Sequence, residues 1–159
     1  TSPKIQKLIS DMRNTLIAKK LGVGLAAPQV GESIALIVIA IRPNDIRPDI
    51  EAFDLVMINP VITQYEGRRK SMWEGCISAG SAGKADLFAK VPRYNELVVS
   101  YLDEKGKAQK QSFTGLKAQI VQHEVDHLNG ILFVDRVRDP KTFMTYREYI
   151  KAKKKNLLS

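Results

Sequence analysis

The stretch from Gln122 to Leu128 constrains this chain most, because it contains both of its histidines. His123 and His127 are four residues apart, so on a helix their side chains lie one turn apart on the same face. Two imidazoles at this spacing can bind one metal ion. Glu124 can then act as general base toward a water at the open coordination position. The stretch therefore predicts a metal-binding helix.

Helix signals surround this stretch. Thr114 is a predicted N-cap, and Gly130 stands where the helix would end. Apolar residues recur between them at helical spacing: Leu116, Ile120, Val121, Val125 and Leu128. The alternative is a chance match on an amphipathic helix whose histidines are only packed.

Length and composition indicate one domain, 1–159, with an ordinary globular composition of 44% hydrophobic and 26% charged residues. The longest apolar run, Ile34 to Ile41, has the length of a strand and not of a membrane span. A single cysteine, Cys76, excludes an intrachain disulfide and favours a reducing compartment. The net charge of +8 is compatible with nucleic-acid or ribosomal partners but does not require them.

Helix and strand signals flank the metal motif on both sides. One helix is predicted from Ser2-Pro3 to about Lys20, and another from Asp139-Pro140 onward. The last helix has an apolar side and a lysine-rich end: Phe143, Tyr146, Tyr149, Ile150, then Lys151, Lys153, Lys154 and Lys155. Extended segments are predicted at Ser33–Ile41, Leu55–Thr63 with an interruption at Pro60, Tyr65–Trp73, Glu96–Leu102, Ala108–Phe113 and Ile131–Val134.

The third metal ligand is the open question that the motif raises. A catalytic site of this kind uses three protein ligands, and the chain has no third histidine. Glu148 on the last helix would give a His₂Glu site, as in a metallopeptidase. Cys76, in a glycine-flanked turn, would give a thiolate site. The residues alone leave both open.

Three stretches together resemble the signature motifs of the peptide deformylases, in order: residues 22–29, residues 74–78 and residues 123–127. The one departure within them is Ile77, which stands where leucine is usual. The resemblance implies an α+β fold with antiparallel β-sheets packed around a central metal-binding helix, plus an N-terminal and a C-terminal helix. It also implies Cys76, His123 and His127 as ligands of one divalent metal, Fe²⁺ first, with Zn²⁺, Ni²⁺ or Co²⁺ as substitutes.

The activity that the resemblance implies is removal of the N-formyl group from N-formylmethionine of newly made polypeptides. In this mechanism Glu124 moves the proton, and the Gln29 amide and the Ile77 backbone N–H stabilise the oxyanion. We expect Glu74 to pair with Arg93 and brace the cysteine turn. The expected substrate pocket comprises Val23, Gly24, Ile77 and Ile120.

Two departures from the family pattern concern the chain's start and one loop. The chain begins at the cap of its first helix without the usual preceding segment, which indicates truncation or divergence. The loop from Ala79 to Lys90 is longer than usual and lacks the familiar proline and arginine, so substrate affinity or identity can differ.

The expected partners are an N-formylmethionyl peptide or nascent chain, and the ribosome through the basic last helix, with no membrane. The expected compartment is bacterial cytoplasm or an organelle matrix. The alternatives are a metallopeptidase with Glu148 as ligand, and a catalytically inactive deformylase-like protein that binds ribosome or RNA.

Overall fold

The computed structural model describes residues 1–18, 22–44, 48–81 and 85–158. In these residues, three α-helices lie against one six-stranded antiparallel sheet. The helices are α1 (Pro3–Ala18), α2 (Gly115–Leu128) and α3 (Tyr146–Lys154). The strands are β1 (Gly24–Ala26), β2 (Leu36–Ile41), β3 (Phe53–Gly75), β4 (Leu87–Leu102), β5 (Ala108–Thr114) and β6 (Met144–Thr145). Their order is β1-β2-β3-β4-β5, with β6 paired to β4. The predicted α+β class, with a central helix and a helix near each end, is confirmed.

β2 lies between two hydrophobic clusters, one on each face of the sheet, and all six of its residues are buried. A strand covered on both faces reads as a continuous apolar run, as this one does. On one face, α1 packs Ile9, Met12 and Leu16 against it. On the other face, α2 contributes Ala118, Ile120 and Val121 to a second cluster. The metal-motif helix is therefore central, with the sheet behind it.

β3 differs from its prediction, because the segments Leu55–Thr63 and Tyr65–Trp73 form one strand of 23 residues. The predicted interruption at Pro60 is a local irregularity, where Asn59 has a φ of +51° and the register with β4 shifts between Ile58 and Val61. A bulge lets a proline, which cannot donate a ladder hydrogen bond, sit within a strand. Pairing with β4 then resumes and continues to Gly75.

The C-terminal region also corrects the sequence reading. The segment predicted as extended at Ile131–Val134 leads into a 3₁₀ turn, Phe133–Arg136. Asp139 caps only a second such turn, Pro140–Thr142, and β6 pairing with β4 then interrupts any helix. α3 begins at Tyr146, where the Thr145 hydroxyl accepts the N–H of Glu148. Phe143 is thus outside the helix.

Three further boundaries differ from expectation. The first helix is described to Ala18, and Lys19 and Lys20 lie outside the described residues. β4 begins at Leu87, well before the predicted Glu96 and within the loop predicted to run to Lys90. In that loop, residues 82–84 lie outside the described residues. Among the described residues, no helix is long and apolar enough to cross a membrane.

Candidate metal centre and active-site cleft

Three side chains with metal-binding atoms meet where β3 ends against α2. The ligand atoms of Cys76, His123 and His127 all lie within 4.8 Å of one another. The two imidazole rings are nearly perpendicular, at 86°, and Cys76 Sγ lies 3.2 Å from His127 Nε2. One thiolate with two imidazoles is a donor set that suits zinc or iron better than magnesium. The group can hold one divalent ion.

Cys76 follows the last residue of β3 and caps a 3₁₀ turn, Ile77–Ala79. Its sulfur accepts the backbone N–H of Ser78 at 3.4 Å. Burial acts to raise the pKa of the thiol, but hydrogen bonds with His123 and His127 outweigh it and lower the pKa to about 5. A thiol with such a pKa is a thiolate near neutral pH, the form that binds metal.

His123 is oriented by a buried carboxylate. Its Nδ1 lies 2.9 Å from Glu74 Oε2, and Arg93 donates to both oxygens of Glu74, at 2.8 and 3.0 Å. Burial would raise the pKa of Glu74, but these hydrogen bonds hold it at about 2. Burial acts to lower the pKa of His123, yet its bonds with Cys76 and Glu74 raise it. Such a carboxylate–histidine pair fixes the ring so that the other nitrogen faces the metal position.

Asp126 extends this network and was missed by sequence reasoning. Arg93 Nη1 donates to Asp126 Oδ2 at 2.6 Å, and Arg136 Nη2 donates to Oδ1 at 2.7 Å. The chain of contacts therefore runs from His123 through Glu74 and Arg93 to Asp126. Asp126 lies between His123 and His127 in the sequence, and this position was the signal that could have pointed to a role at the site.

Glu124 lies beside the ligands with its carboxylate buried. Its Oε2 has no hydrogen-bond partner among the described residues. Burial raises its pKa to about 7, and the nearby imidazoles oppose that rise. A carboxylate with such a pKa can both accept and return a proton near neutral pH. A buried polar atom without a partner costs free energy unless a ligand or water completes it, which fits a reaction centre.

Gly24 is the reason Glu124 has room. A Cβ on Gly24 would clash with Glu124 Oε1 and would lie 2.7 Å from Glu124 Cδ. Only glycine lets β1 pass so close to the carboxylate. Gln29, from the 3₁₀ turn after β1, accepts the N–H of Ala26 through Oε1 and donates from Nε2 to Ser78 Oγ at 2.9 Å. That same Nε2 lies 3.9 Å from Cys76 Sγ.

A cleft opens beside this group. Its lining includes every residue predicted for the substrate pocket: Val23, Gly24, Ile77 and Ile120. It also includes residues that sequence reasoning did not assign to a site: Trp73, Phe88, Leu116, Gln119, Tyr146, Tyr149 and Ile150. Leu116 and Gln119 precede His123 by seven and four residues, so helical spacing was a signal for those two.

Glu148 is not among the clustered ligands. Its side chain is 57% exposed and lies 3.9 Å from the Lys151 ammonium. The structure therefore brings Cys76, and not Glu148, to the histidine pair.

A Cys-His-His group with an adjacent buried glutamate, at the wall of a cleft, is the arrangement of a metallohydrolase that binds one metal ion at this site. A family model, polypeptide deformylase, matches residues 1–143. Peptide deformylase 2 of Nostoc sp. is 40% identical over 153 residues, covering 96% of this chain and 82% of that protein. Peptide deformylase of Roseiflexus castenholzii is 39% identical over 155 residues, covering 92% and 80%. The chain belongs to the polypeptide deformylase family.

Solved structures agree with this membership. A class I type b peptide deformylase from Acinetobacter baumannii with Met-Ala-Ser bound superposes with a TM-score of 0.77 at 39% identity, covering 86% of this chain and 83% of that one. Peptide deformylase 1B of Arabidopsis thaliana gives 0.72 at 29% identity, covering 98% and 78%. The chain is thus a hydrolase with a metal cofactor, and its family's reaction is removal of the N-formyl group from new polypeptides.

Proposed function

We propose that this chain hydrolyses N-formylmethionyl peptides with one Fe²⁺ held by Cys76, His123 and His127. The observation that carries the proposal is the buried Glu124 carboxylate beside these three side chains, with Oε2 unpartnered among the described residues. Zn²⁺, Ni²⁺ and Co²⁺ suit the same thiolate and imidazole donors and would substitute. When bound, the metal supplies the Lewis acidity that lets a water act as nucleophile near neutral pH.

Glu124 is the proton carrier in this proposal. Its carboxylate takes a proton from the attacking water and returns it to the amine nitrogen as the formyl C–N bond breaks. The products are a free N-terminal amine and formic acid, which ionises to formate and releases its proton to the solvent at neutral pH. The pKa of about 7 supports this role, because the group exchanges a proton readily at neutral pH.

Gln29 and Ile77 bind the oxyanion in this proposal. The Gln29 Nε2 is held by Ser78 Oγ near the cysteine sulfur, and its Oε1 is fixed by the Ala26 N–H. The Ile77 N–H lies in the 3₁₀ turn that Cys76 begins. Fixed donors of this kind stabilise charge that develops in the transition state.

The methionine side chain enters the apolar part of the cleft, bounded by Val23, Gly24, Ile77 and Ile120. Ile120 is buried in the main core, and Val23 is partly buried against it. Arg93 and Glu74 act indirectly, by holding His123 in place.

Three further proposals concern context. Residues 1–159 form one catalytic domain, supported by the continuous sheet that the described residues share. The protein works in bacterial cytoplasm or an organelle matrix. The lysines at the end of α3, Lys151, Lys153 and Lys154, with Lys155 beyond them, contact the ribosome, so co-sedimentation with ribosomes is expected to fall with added salt.

The decisive experiment measures formate release from a formyl-Met-Ala-Ser peptide by anaerobically purified, iron-loaded protein. We expect turnover by the wild type and loss of bound metal with loss of turnover in Cys76→Ser. The matched control is Ser71→Ala, an exposed change on β3 that keeps all three ligands and the Gln29 contacts. Peptide-bond cleavage without formate, with metal retained in Cys76→Ser, would instead favour the metallopeptidase.

A further inference from the structure

α3 lies beyond the part of the chain that the family model matches. The match ends at residue 143, and α3 runs from Tyr146 to Lys154. Yet Tyr146, Tyr149 and Ile150 line the same cleft as Cys76, His123 and Glu124. An element outside the matched region therefore contributes to the active-site cleft.

Tyr149 contacts the cleft through two aromatic neighbours. Its ring stacks on Phe88, with centroids 4.2 Å apart and planes 11° from parallel. The Trp73 ring lies 5.9 Å from it at 58°. We call these three residues, Trp73, Phe88 and Tyr149, the aromatic wall. Such ring pairs add to the stabilisation that burial alone gives.

The aromatic wall is attached to the strand that ends next to the cysteine. Trp73 lies on β3, three residues before Cys76, and Phe88 of β4 pairs with Gly75 of β3. A Cβ on Gly75 would lie 2.6 Å from the Phe88 ring, so glycine allows Phe88 to cover the strand next to Cys76. Gln119 Nε2 donates to the Trp73 carbonyl at 2.9 Å, which ties the same strand to α2. These contacts place the aromatic wall beside the end of β3 and against α2.

Residues of α2 supply other parts of the cleft lining. Ile120 and Leu116 line it one and two turns before the histidines. An apolar substrate side chain that enters the cleft near the metal ligands would contact Ile120 and Leu116 of α2 and the aromatic wall. Aromatic rings suit a thioether, because sulfur–ring contacts are favourable.

We propose that the aromatic wall closes the far end of the pocket for the first side chain of the substrate, and that Tyr149 limits the length of that side chain. This inference rests on the proposed deformylase function. It assigns to α3 a role in specificity, separate from the chemistry that Cys76, His123, His127 and Glu124 perform.

The test compares two peptides that differ only in the length of the first side chain: formyl-Met-Ala-Ser and its analogue with S-propyl-homocysteine in place of methionine. We expect Tyr149→Ala to raise kcat/KM for the longer peptide relative to the methionine peptide by roughly tenfold, through KM, since a methylene in an apolar pocket is worth that much. Tyr149→Phe keeps the stacked ring and should keep the wild-type ratio. Tyr65→Ala, which removes an exposed tyrosine that does not line the cleft, controls for general destabilisation.

An equal loss on both peptides in Tyr149→Ala would overturn the inference, because α3 would then only support the fold. Binding of the two unformylated product peptides by calorimetry gives the same ratio without turnover. If the wild type releases no formate but the ratio of the two Kd values still shifts in Tyr149→Ala, the proposed function fails and the pocket assignment stands. An unchanged Kd ratio overturns the pocket assignment even where formate is released.

Discussion

α2 and α3 both line the same cleft, but they contribute to it in opposite ways. α2 buries polar groups in the protein interior, among them Glu124, Asp126 and His127. α3 has no buried residue, and its last turn is basic. α2 supplies two of the three ligands, whereas α3 supplies part of an aromatic surface.

The difference reflects how each helix is stabilised. On α2, the buried Asp126 is paired with Arg93 and Arg136, whereas Glu124 Oε2 has no hydrogen-bond partner among the described residues. α3 is nine residues long, too short to be stable alone, so its position depends on aromatic contacts with β3 and β4. Our proposals therefore place the chemistry on the helix that buries polar groups, and the selectivity on the helix that lies at the surface.

Removing the metal should have the largest effect, because α2 would lose its function while α3 would lose nothing directly. We expect a chelator to abolish formate release, and added Fe²⁺ to restore it. Metal content by mass spectrometry and formate release are the two measurements. Full turnover in verified metal-free protein would remove the basis for assigning chemistry to α2.

Glu124→Gln should come next. The side chain keeps its size but cannot carry the proton, so we expect kcat to fall by about 10²- to 10⁴-fold. Metal content should match the wild type, because the glutamate is not a ligand in our proposal. Near-normal kcat in this variant would refute the proton-transfer role.

Glu74→Gln tests the support of His123. We expect metal affinity or activity to fall by about 10- to 100-fold, because the His123 ring loses its charged partner and Arg93 loses one of its two carboxylate partners. Glu66→Gln, an exposed change on the same strand, is the matched control. Equal metal affinity in the two variants would mean that Glu74 serves the fold alone.

Glu148→Gln should have the smallest effect. The side chain is exposed and near one lysine, so the free energy of unfolding should change by no more than about 0.5 kcal/mol. Thermal unfolding, metal content and formate release should all match the wild type. Loss of metal in Glu148→Gln would make Glu148 a candidate ligand again. α3 would then supply a ligand as α2 does, and the proposed difference between the two helices would fail.

Local sequence patterns predicted the elements whose signals are local. The spacing from Thr114 to Gly130 predicted α2, and the apolar run Ile34 to Ile41 predicted the position of β2 within a few residues. The continuity of β3 through Pro60 was missed, because it depends on pairing with β4 on both sides of a bulge. The start of α3 was misplaced for a related reason: pairing of Met144 and Thr145 with β4 decides where the helix can begin.

The sequence by itself determined the histidine pair, the adjacent glutamate and the three ordered motifs, because helical geometry fixes which residues share a face. The resemblance implied that Cys76 joins that pair, and the tertiary structure brings it there. Only the tertiary structure showed that Asp126 completes the support of His123 and that Tyr149 reaches the cleft. Each of these contacts joins residues of different elements, and the folded packing of those elements sets the distances between them.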